Sequence, residues 1–341
     1  MPHGGRQDVR QAPAAGLEAR PVDARIPRRP SDEGRPPRLG GADQVHQEGG
    51  AVSDFGDVKG WTREKLDCLE KYLTFYQKAL KGQRFRKIYI DAFAGSGGTY
   101  GRKSGQKHVG RFLEGSASRA LRVEPPFDRY VFVERDPGRM AALKATAAAE
   151  VETVRARGSS VDFEVADANE AIPDLVSRMP WRSWRGVVFL DPYGMQVRWR
   201  VLEALARTES VDLWYLFPTG AMLRLLKRHG RPSGGRAQTL DAVLGTDEWR
   251  ALYRPPKQAG LFPEDEVEER AEATEVERFV LDRLGTIFPL VHRRPLVLRN
   301  SKGAVLFSLI FACANPNEKA WGLAKKVADH LLGVARRNNR A

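Results

Sequence analysis

The stretch YIDAFAGSGG (residues 89–98) joins an apolar, aromatic segment to a run of small residues that contains three glycines. The segment RKIYIDAF is typical of a buried strand. Glycine adopts positive φ and lets a ligand approach the backbone closely, as Gly95 and Gly97 could do here. A loop that leads from a strand end to a helix start in a doubly wound sheet is a ligand-binding position. The stretch therefore predicts a ligand-binding loop after the first strand.

The rest of the chain alternates between strand-like and helix-like segments. Four further segments have the composition of buried strands: RYVFVER, SVDFEVAD, WRGVVFLD and VDLWYLFP. Helical patterns lie between them, namely SASRAL, one continuous helix PGRMAALKATAAAEVETVRAR, NEAIPDLVSR and RVLEALART. Five strands that alternate with helices predict right-handed βαβ units and a parallel sheet with both faces covered.

The C-terminal third has a different pattern. Residues 219–264 read as a basic insertion with some helix, and a helix follows at 273–285. Two strands flank the turn sequence NSKG, which predicts a hairpin, and a helix closes the chain. The predicted fold is thus α/β, a Rossmann-like doubly wound sheet of seven strands, five of parallel type plus a C-terminal hairpin. This order resembles the class I S-adenosylmethionine (SAM)-dependent methyltransferases.

Composition divides the chain into two parts. Residues 1–56 are rich in Gly, Pro and Arg, with no aromatic residue before Phe55, so they predict a disordered tail. Residues 57–341 predict one domain that begins with an amphipathic helix at 60–81, for which Thr62 is the expected N-cap.

Charge and cysteine content limit the possible classes of function. The net charge is +13, and residues 1–55 balance eight arginines with eight acids, so the excess falls on the folded part. A basic domain is compatible with nucleic acid, and equally with an arginine-rich protein of any class. Cys68 and Cys313 fit a reduced core, no spacing indicates a metal site, and no apolar run approaches membrane-helix length. These features predict a cytoplasmic protein without a membrane span.

Acidic residues follow four of the predicted strands. Asp91, Glu134, Asp167 and Asp191 each come at a strand end, and the carboxyl ends of parallel strands share one edge of the sheet. Each acid alone could be a helix cap or a loop charge. Asp136, followed by Pro137, reads as such a cap, which leaves Glu134 as the better ligand candidate.

The glycine loop favours one class of cofactor over another. A dinucleotide site needs G-x-G-x-x-G, but Tyr100 stands at the third position after Gly97, which disfavours a nucleotide-dependent oxidoreductase. Asp91 would repel a pyrophosphate and would attract the ammonium group of an amino-acid-bearing cofactor such as SAM. The predicted cofactor-binding residues are Asp91, Phe93, Ala94, Gly95, Gly97, Glu134, Asp167 and Ala168.

The segment DPYG, which contains Asp191, Pro192 and Tyr193, is the candidate catalytic motif. It resembles the D-P-P-Y motif of methyltransferases that act on exocyclic amines, with one proline missing. That resemblance implies that Asp191 accepts hydrogen bonds from the target amine and that Tyr193 stacks on the base. A tight turn after a buried strand is the alternative.

Two clusters of basic residues lie near the predicted strand ends. Both suit a phosphate-bearing substrate, and both could instead be solvated loops. The candidate substrate-binding residues are Arg102, Lys103, Lys107, Arg111, Arg224, Lys227 and Arg228, and Arg231 and Arg236 belong to the second cluster.

Several motifs together resemble the three-Cys-motif partner (TcmP) family of methyltransferase-like proteins. They are WTREKLDCLEKYLTFYQKAL, YIDAFAGSGG, EGSASRAL, FVERD, VFLDPYGM and LWYLFPTG, within residues 58–335. The resemblance implies a SAM-binding sheet and a partner protein with a three-cysteine motif, similar to radical-SAM enzymes. Two functions follow as expectations: a methyltransferase acting on an exocyclic amine of DNA or RNA, or a non-catalytic scaffold for that partner.

Overall fold

A computed structural model of the chain describes residues 58–100, 112–255 and 267–338. The predicted tail at residues 1–56 lies outside these ranges, so its prediction stays untested. No helix within the described ranges is long and apolar enough to cross a lipid bilayer.

Strands and helices alternate through most of the described chain. The strands are Arg86–Asp91 (β1), Gly98–Tyr100 (β2), Phe112–Glu114 (β3), Arg129–Glu134 (β4), Ser160–Val165 (β5), Trp184–Leu190 (β6), Val211–Phe217 (β7), Tyr253–Arg254 (β8), Glu269–Arg270 (β9), Leu290–Val291 (β10), Leu296–Arg299 (β11) and Val305–Cys313 (β12). The α-helices are Val58–Ala79 (α1), Ser116–Leu121 (α2), Pro137–Thr146 (α3), Ala148–Arg155 (α4), Ala168–Arg178 (α5), Trp199–Ala206 (α6), Thr219–Leu225 (α7), Gly234–Leu244 (α8), Ala273–Gly285 (α9) and Glu318–Asn338 (α10).

The central sheet has the strand order β10-β12-β7-β6-β1-β4-β5, with β11 also paired to β12. Strands β5, β4, β1, β6 and β7 are mutually parallel, and β12 is inserted antiparallel beside β7. The chain runs outward from β1 to β4 and β5, then returns to β6 on the other side of β1. This reversal creates the crevice at which α/β sheets bind ligands. The predicted fold class, including the antiparallel last strand, is confirmed.

The edge of the sheet beyond β12 differs from the prediction in one detail. Strands β10 and β11 lie one after the other along the same side of β12, where one strand was expected. Pro295 directly precedes β11 and has no N–H for the ladder, which accounts for an interruption at this point. The hairpin between β11 and β12 turns at residues 300–303, as the NSKG sequence predicted.

Successive residues of the central strands point to opposite faces of the sheet, and each face has its own apolar core. Ile88 and Ile90 pack in one cluster with α5, α6, α8 and α9. Tyr89 packs in the other, with α1, α2, α3, α4 and α10. Cys68 and Cys313 are free and buried in this second core, as expected.

Two helix predictions were wrong in detail. The first helix begins at Val58, so Thr62 lies inside it and cannot be the N-cap. The expected continuous helix after β4 bends at Ala147 and divides into α3 and α4. The bend brings Leu143 of α3 and Val151 of α4 into the same core. Asp136 caps α3 as predicted, accepting a 2.8 Å hydrogen bond from the Arg139 amide.

The predicted basic insertion at 219–264 contains more regular structure than its sequence indicated. Helices α7 and α8 and a 3₁₀ helix at Glu248–Leu252 occupy most of its described part. Strand β8, within the insertion, pairs with β9 beyond it. The start of α7 follows the carboxyl end of β7, so the insertion leaves the sheet at the edge that carries the four acids.

Candidate functional site

The four acids predicted at strand ends lie at one edge of the sheet. Asp91 and Glu134 are the last residues of β1 and β4, Asp191 directly follows β6, and Asp167 lies two residues after β5. The strands are parallel and in direct register, so these four positions are neighbours at the crevice beside β1.

Asp91 is the most buried of the four acids, with no exposed surface. Its carboxyl accepts hydrogen bonds from the Ser116 hydroxyl at 2.5 Å, the Phe93 amide at 3.3 Å and the Tyr89 hydroxyl at 3.4 Å. Burial raises the pKa of Asp91 to about 7; the Ser116 hydrogen bond opposes the rise, and the negative charge of Asp191 adds to it. The carboxyl is thus able to gain or lose a proton near neutral pH.

The glycine loop has an open side and a packed side. Gly95 has φ +63°, and a Cβ added there would meet no atom of the described residues within 4 Å, so its outer face is open with respect to them. Gly97 has φ +79°, and its added Cβ would lie 3.1 Å from the Leu143 side chain. An added Cβ on Gly115 would lie 2.9 Å from the backbone of Gly97, whose carbonyl accepts a 2.8 Å hydrogen bond from the Gly115 amide. Gly95 is therefore the glycine a ligand can approach.

Glu134 is buried and bonded to backbone on both sides. Its Oε2 accepts a 3.0 Å hydrogen bond from the Gly95 amide, and its Oε1 accepts one of 2.9 Å from the Asp136 amide. Each carboxylate oxygen retains a second lone pair. The side chain therefore shapes the glycine loop and still offers two acceptors, which match a pair of adjacent hydroxyl groups.

Asp167 performs the helix-cap role that was its alternative interpretation. Its Oδ1 accepts hydrogen bonds from the Asn169 amide at 2.8 Å and from Asn169 Nδ2 at 2.9 Å. Asn169 also donates to the Gln196 carbonyl and accepts from the Arg198 amide, at 2.9 and 2.8 Å. This residue joins the loop after β5 to the loop after β6. Sequence reasoning missed it, because nothing in the local pattern indicates these long-range bonds.

The DPYG segment combines a buried ion pair with an exposed ring. Asp191 Oδ2 lies 2.5 Å from Lys65 Nζ, in helix α1. Pro192 is buried, whereas the Tyr193 side chain is 71% exposed. The Arg139 guanidinium lies 5.0 Å from the centre of the Tyr193 ring, a cation–π distance. Sequence reasoning missed Lys65 and Arg139 as parts of this site.

Of the basic candidates, only the second cluster falls within the described residues. Arg224, Lys227 and Arg228 are exposed on α7 and the turn after it. Arg231 forms an ion pair with Glu268 at 2.5 Å, so its charge is compensated. Arg102, Lys103, Lys107 and Arg111 lie outside the described residues. Their proximity to the crevice therefore stays a prediction.

The described part of the chain contains no cluster of side chains that resembles a metal site. No group of three or more His, Cys, Asp or Glu side chains there has the arrangement of a metal site.

A cavity of about 500 Å³ lies along the outer edge of β5, lined by Arg129, Lys144, Val161, Asp162, Phe163, Glu164, Leu175, Arg178 and Met179. None of the four strand-end acids lines this cavity.

The arrangement at the crevice offers three complementary groups to a ligand. Glu134 provides two acceptors, Gly95 provides open backbone bonded to Glu134, and Asp91 provides a carboxyl that has no exposed surface. At the end of β6, Asp191 provides a hydrogen-bond acceptor and Tyr193 provides an exposed aromatic ring. Such a set can hold a polar, amino-acid-bearing nucleoside beside a planar second molecule.

No known protein-family profile matches the chain, and no curated protein matches it in sequence. Comparison with solved structures gives distant likenesses, among them protein LPL1258 from Legionella pneumophila (DUF519), at 12% identity and TM-score 0.42, covering 83% of this chain and 94% of that one. The structure of Trm1 from Pyrococcus horikoshii with S-adenosyl-L-methionine matches at 14% identity and TM-score 0.33. The match covers 73% of this chain and 63% of the Trm1 chain. The methyltransferase domain of bacterial CtHen1 matches at 11% identity and TM-score 0.33. The match covers 72% of this chain and 99% of that domain. The strand order of the sheet, rather than these distant likenesses, defines the fold as a Rossmann-like doubly wound sheet with an antiparallel strand inserted beside β7.

Proposed function

We propose that this protein is a SAM-dependent methyltransferase that modifies an exocyclic amine on a nucleic acid. The observation that carries the proposal is the placement of Asp191 and Tyr193 at the end of β6, beside the acids of β1 and β4. A methyl donor held at β1 and β4 would lie next to an amine held at β6. The relative position of two reactants is what such a transfer chiefly requires.

The residues at the crevice fit the chemical groups of SAM. Glu134 has acceptors for the two ribose hydroxyls, Asp91 for the amino-acid ammonium, and Asp167 retains acceptor capacity for the adenine amino group. Phe93, Ala94 and Ala168 line the same loops as candidates for its apolar contacts. Bound here, SAM would supply a sulfonium methyl group, whose S–C electron pair returns to sulfur as the acceptor nitrogen forms the new N–C bond.

Asp191 would orient the acceptor amine. Its Oδ2 already bonds to Lys65, so its Oδ1 has the greater remaining capacity for an amine N–H. A hydrogen bond from the amine to this oxygen directs the nitrogen lone pair away from the carboxylate. The carboxylate can then take the proton that the nitrogen loses after methylation and pass it to solvent. The exposed Tyr193 ring offers a face for stacking of the target base.

A nucleic-acid substrate is supported by charge. The net charge of +13 falls on residues 56–341, and exposed Arg224, Lys227 and Arg228 leave the sheet at the edge that carries the site. Arg102, Lys103, Lys107 and Arg111 are further candidates for phosphate contacts from the sequence. Phosphate neutralisation of this kind gives affinity that falls steeply with salt.

The test combines binding and transfer. SAM binding is measured by calorimetry, and transfer of a labelled methyl group is measured with mixed-sequence DNA and RNA oligonucleotides. Asp191→Asn should retain SAM binding within about twofold and lose transfer by about 100-fold or more. Asp174→Asn, a change at an exposed helix residue, is the matched control. Wild-type transfer by Asp191→Asn would refute the role of Asp191, and absence of SAM binding by the wild type would refute the enzyme.

A second candidate function is a non-catalytic scaffold for a three-cysteine-motif protein, as the TcmP resemblance implies. Two contacts favour it: Asp167 serves as a helix cap, and Asp191 is bonded to Lys65. Both acids therefore have structural uses without any ligand. This alternative predicts co-purification with a three-cysteine protein and no methyl transfer by either protein alone.

A further inference from the structure

Lys65 occupies an unusual position for a lysine. It lies on the sheet-facing side of α1, one turn before Leu69, and only 8% of its side chain is exposed. A buried ammonium is costly unless it is paired, and an apolar side chain of similar length would pack at such a position without that cost. The presence of a charge here therefore calls for an explanation beyond packing.

The partner of Lys65 is the candidate catalytic carboxylate. Lys65 Nζ lies 2.5 Å from Asp191 Oδ2, and the two residues are 126 positions apart in the chain. The side chain of Asp191 is 24% exposed, three times as exposed as that of Lys65. The solvent-facing side of Asp191 remains available to an incoming amine.

A second carboxyl group, that of Asp91, lies near this ion pair. Asp91 lies close enough to Asp191 for the two negative charges to interact. The charge of Asp191 is one of the causes that raise the pKa of Asp91. The ammonium of Lys65 places a positive charge directly against Asp191, the carboxylate proposed to accept an amine hydrogen.

We propose that Lys65 is a positioning residue that holds Asp191 by Oδ2, so that Oδ1 faces the acceptor amine. This inference rests on the proposed methyltransferase function and assigns to helix α1 a direct part in the site. Lys65 itself touches neither the donor nor the acceptor. Its removal should therefore slow transfer without weakening the binding of SAM.

The experiment compares Lys65→Met, which keeps length and removes charge, with Lys65→Arg, which keeps charge. Lys71→Met is the matched control, because Lys71 is an exposed lysine of the same helix. The measurements are the Kd of SAM by calorimetry, the urea midpoint of unfolding, and kcat and KM for labelled-methyl transfer to DNA and RNA oligonucleotides. Each substitution is also made in the Asp191→Asn background.

Lys65→Met should lower kcat by about 100-fold, the loss that a small misplacement of a reacting group produces, and leave the Kd of SAM within about twofold. Lys65→Arg should recover at least about a tenth of wild-type kcat, and Lys71→Met should change nothing. In the Asp191→Asn background, Lys65→Met should cause no further loss of kcat, because the group it positions is already altered.

Three results would overturn the assignment. Unchanged kcat in Lys65→Met would show that Asp191 needs no such support. An equal loss with and without Asp191 would show that Lys65 acts on the fold at large. A wild type that binds SAM and transfers nothing would refute the proposed function, and this role with it. If Lys65→Met fails to fold, low kcat in a normally folded Lys65→Arg that keeps the Kd of SAM would also count against it.

Discussion

Binding of SAM should depend on pH through the buried carboxyl of Asp91. With a pKa of about 7, this group is about nine-tenths ionised at pH 8 and about one-tenth ionised at pH 6. The ammonium of the ligand should bind the ionised form. The affinity should therefore fall about fivefold from pH 7 to pH 6, which is about 1 kcal/mol; at pH 8 the ligand's own α-amino group is about half deprotonated, which reduces the gain there.

The direction of this pH dependence follows from the number of protons bound before and after SAM binds. Below a pH of about 7 the free protein holds a proton on Asp91 that the complex releases, so binding strengthens as pH rises to about 7 and weakens again where the ligand ammonium loses its proton, near pH 8. The stability of the free protein should change in the opposite direction. A carboxyl with a raised pKa contributes most below the ordinary aspartate value, and this contribution is lost as pH rises through about 7.

Calorimetric titration measures the affinity for SAM and the number of protons released on binding in the same experiment. Titration with SAM in phosphate and in Tris, which differ in heat of ionisation, gives the number of protons released, expected to be about one-half at pH 7. Asp91→Asn should bind more weakly and without this pH dependence. The ligand 5′-methylthioadenosine, which lacks the amino-acid group, should also bind independently of pH. Equal affinity for SAM at pH 6 and pH 7, or no proton release, would refute the assignment of Asp91 to the ammonium.

Three further predictions concern stability and stacking. Gly95→Ala should lower the free energy of unfolding by about 1–2 kcal/mol, because alanine is strained at positive φ. Gly97→Ala should lower it by more, because the added Cβ also meets Leu143. Urea unfolding measures both losses, and equal losses would contradict the packing argument. Tyr193→Ala should reduce kcat/KM for oligonucleotides while Tyr193→Phe retains it, with little change in stability for either, since the ring is largely exposed. Tyr72→Phe removes a buried 2.6 Å hydrogen bond to Asp212 and should cost about 1–3 kcal/mol, seen as a lower melting temperature.

The sequence was sufficient for the fold because the decisive signals are local. Most strands of the parallel sheet read as apolar runs, and four of the five have an acid at the strand end or within two residues of it. The parallel arrangement then brings the acids together without any knowledge of side-chain contacts. The same reasoning did not detect the bend at Ala147, which depends on packing against neighbouring elements. It also did not detect the interruption between β10 and β11, although Pro295 marks it in the sequence.

The parts of the site that the sequence did not reveal are the contacts made across long separations. Ser116 bonds to Asp91 from 25 residues away, and Lys65 bonds to Asp191 from 126. In the sequence, Lys65 is one of several lysines in a charged helix, and only the orientation of that helix on the sheet distinguishes it from exposed Lys71. Helical periodicity indicates which face is buried, but not which neighbour a buried polar group meets.

The two acids nearest the crevice each receive a hydrogen bond from the same layer of helices. Lys65 of α1 bonds to Asp191, and Ser116 of α2 bonds to Asp91. Helices α1 and α2 are themselves joined, since Arg119 forms ion pairs with Asp67 at 2.5 Å and Glu70 at 3.0 Å. A displacement of α1 would therefore disturb both carboxyl groups together. The helix that precedes the sheet in the chain is thus part of the proposed active site, because it links the residue that would hold the methyl donor to the one that would orient the acceptor.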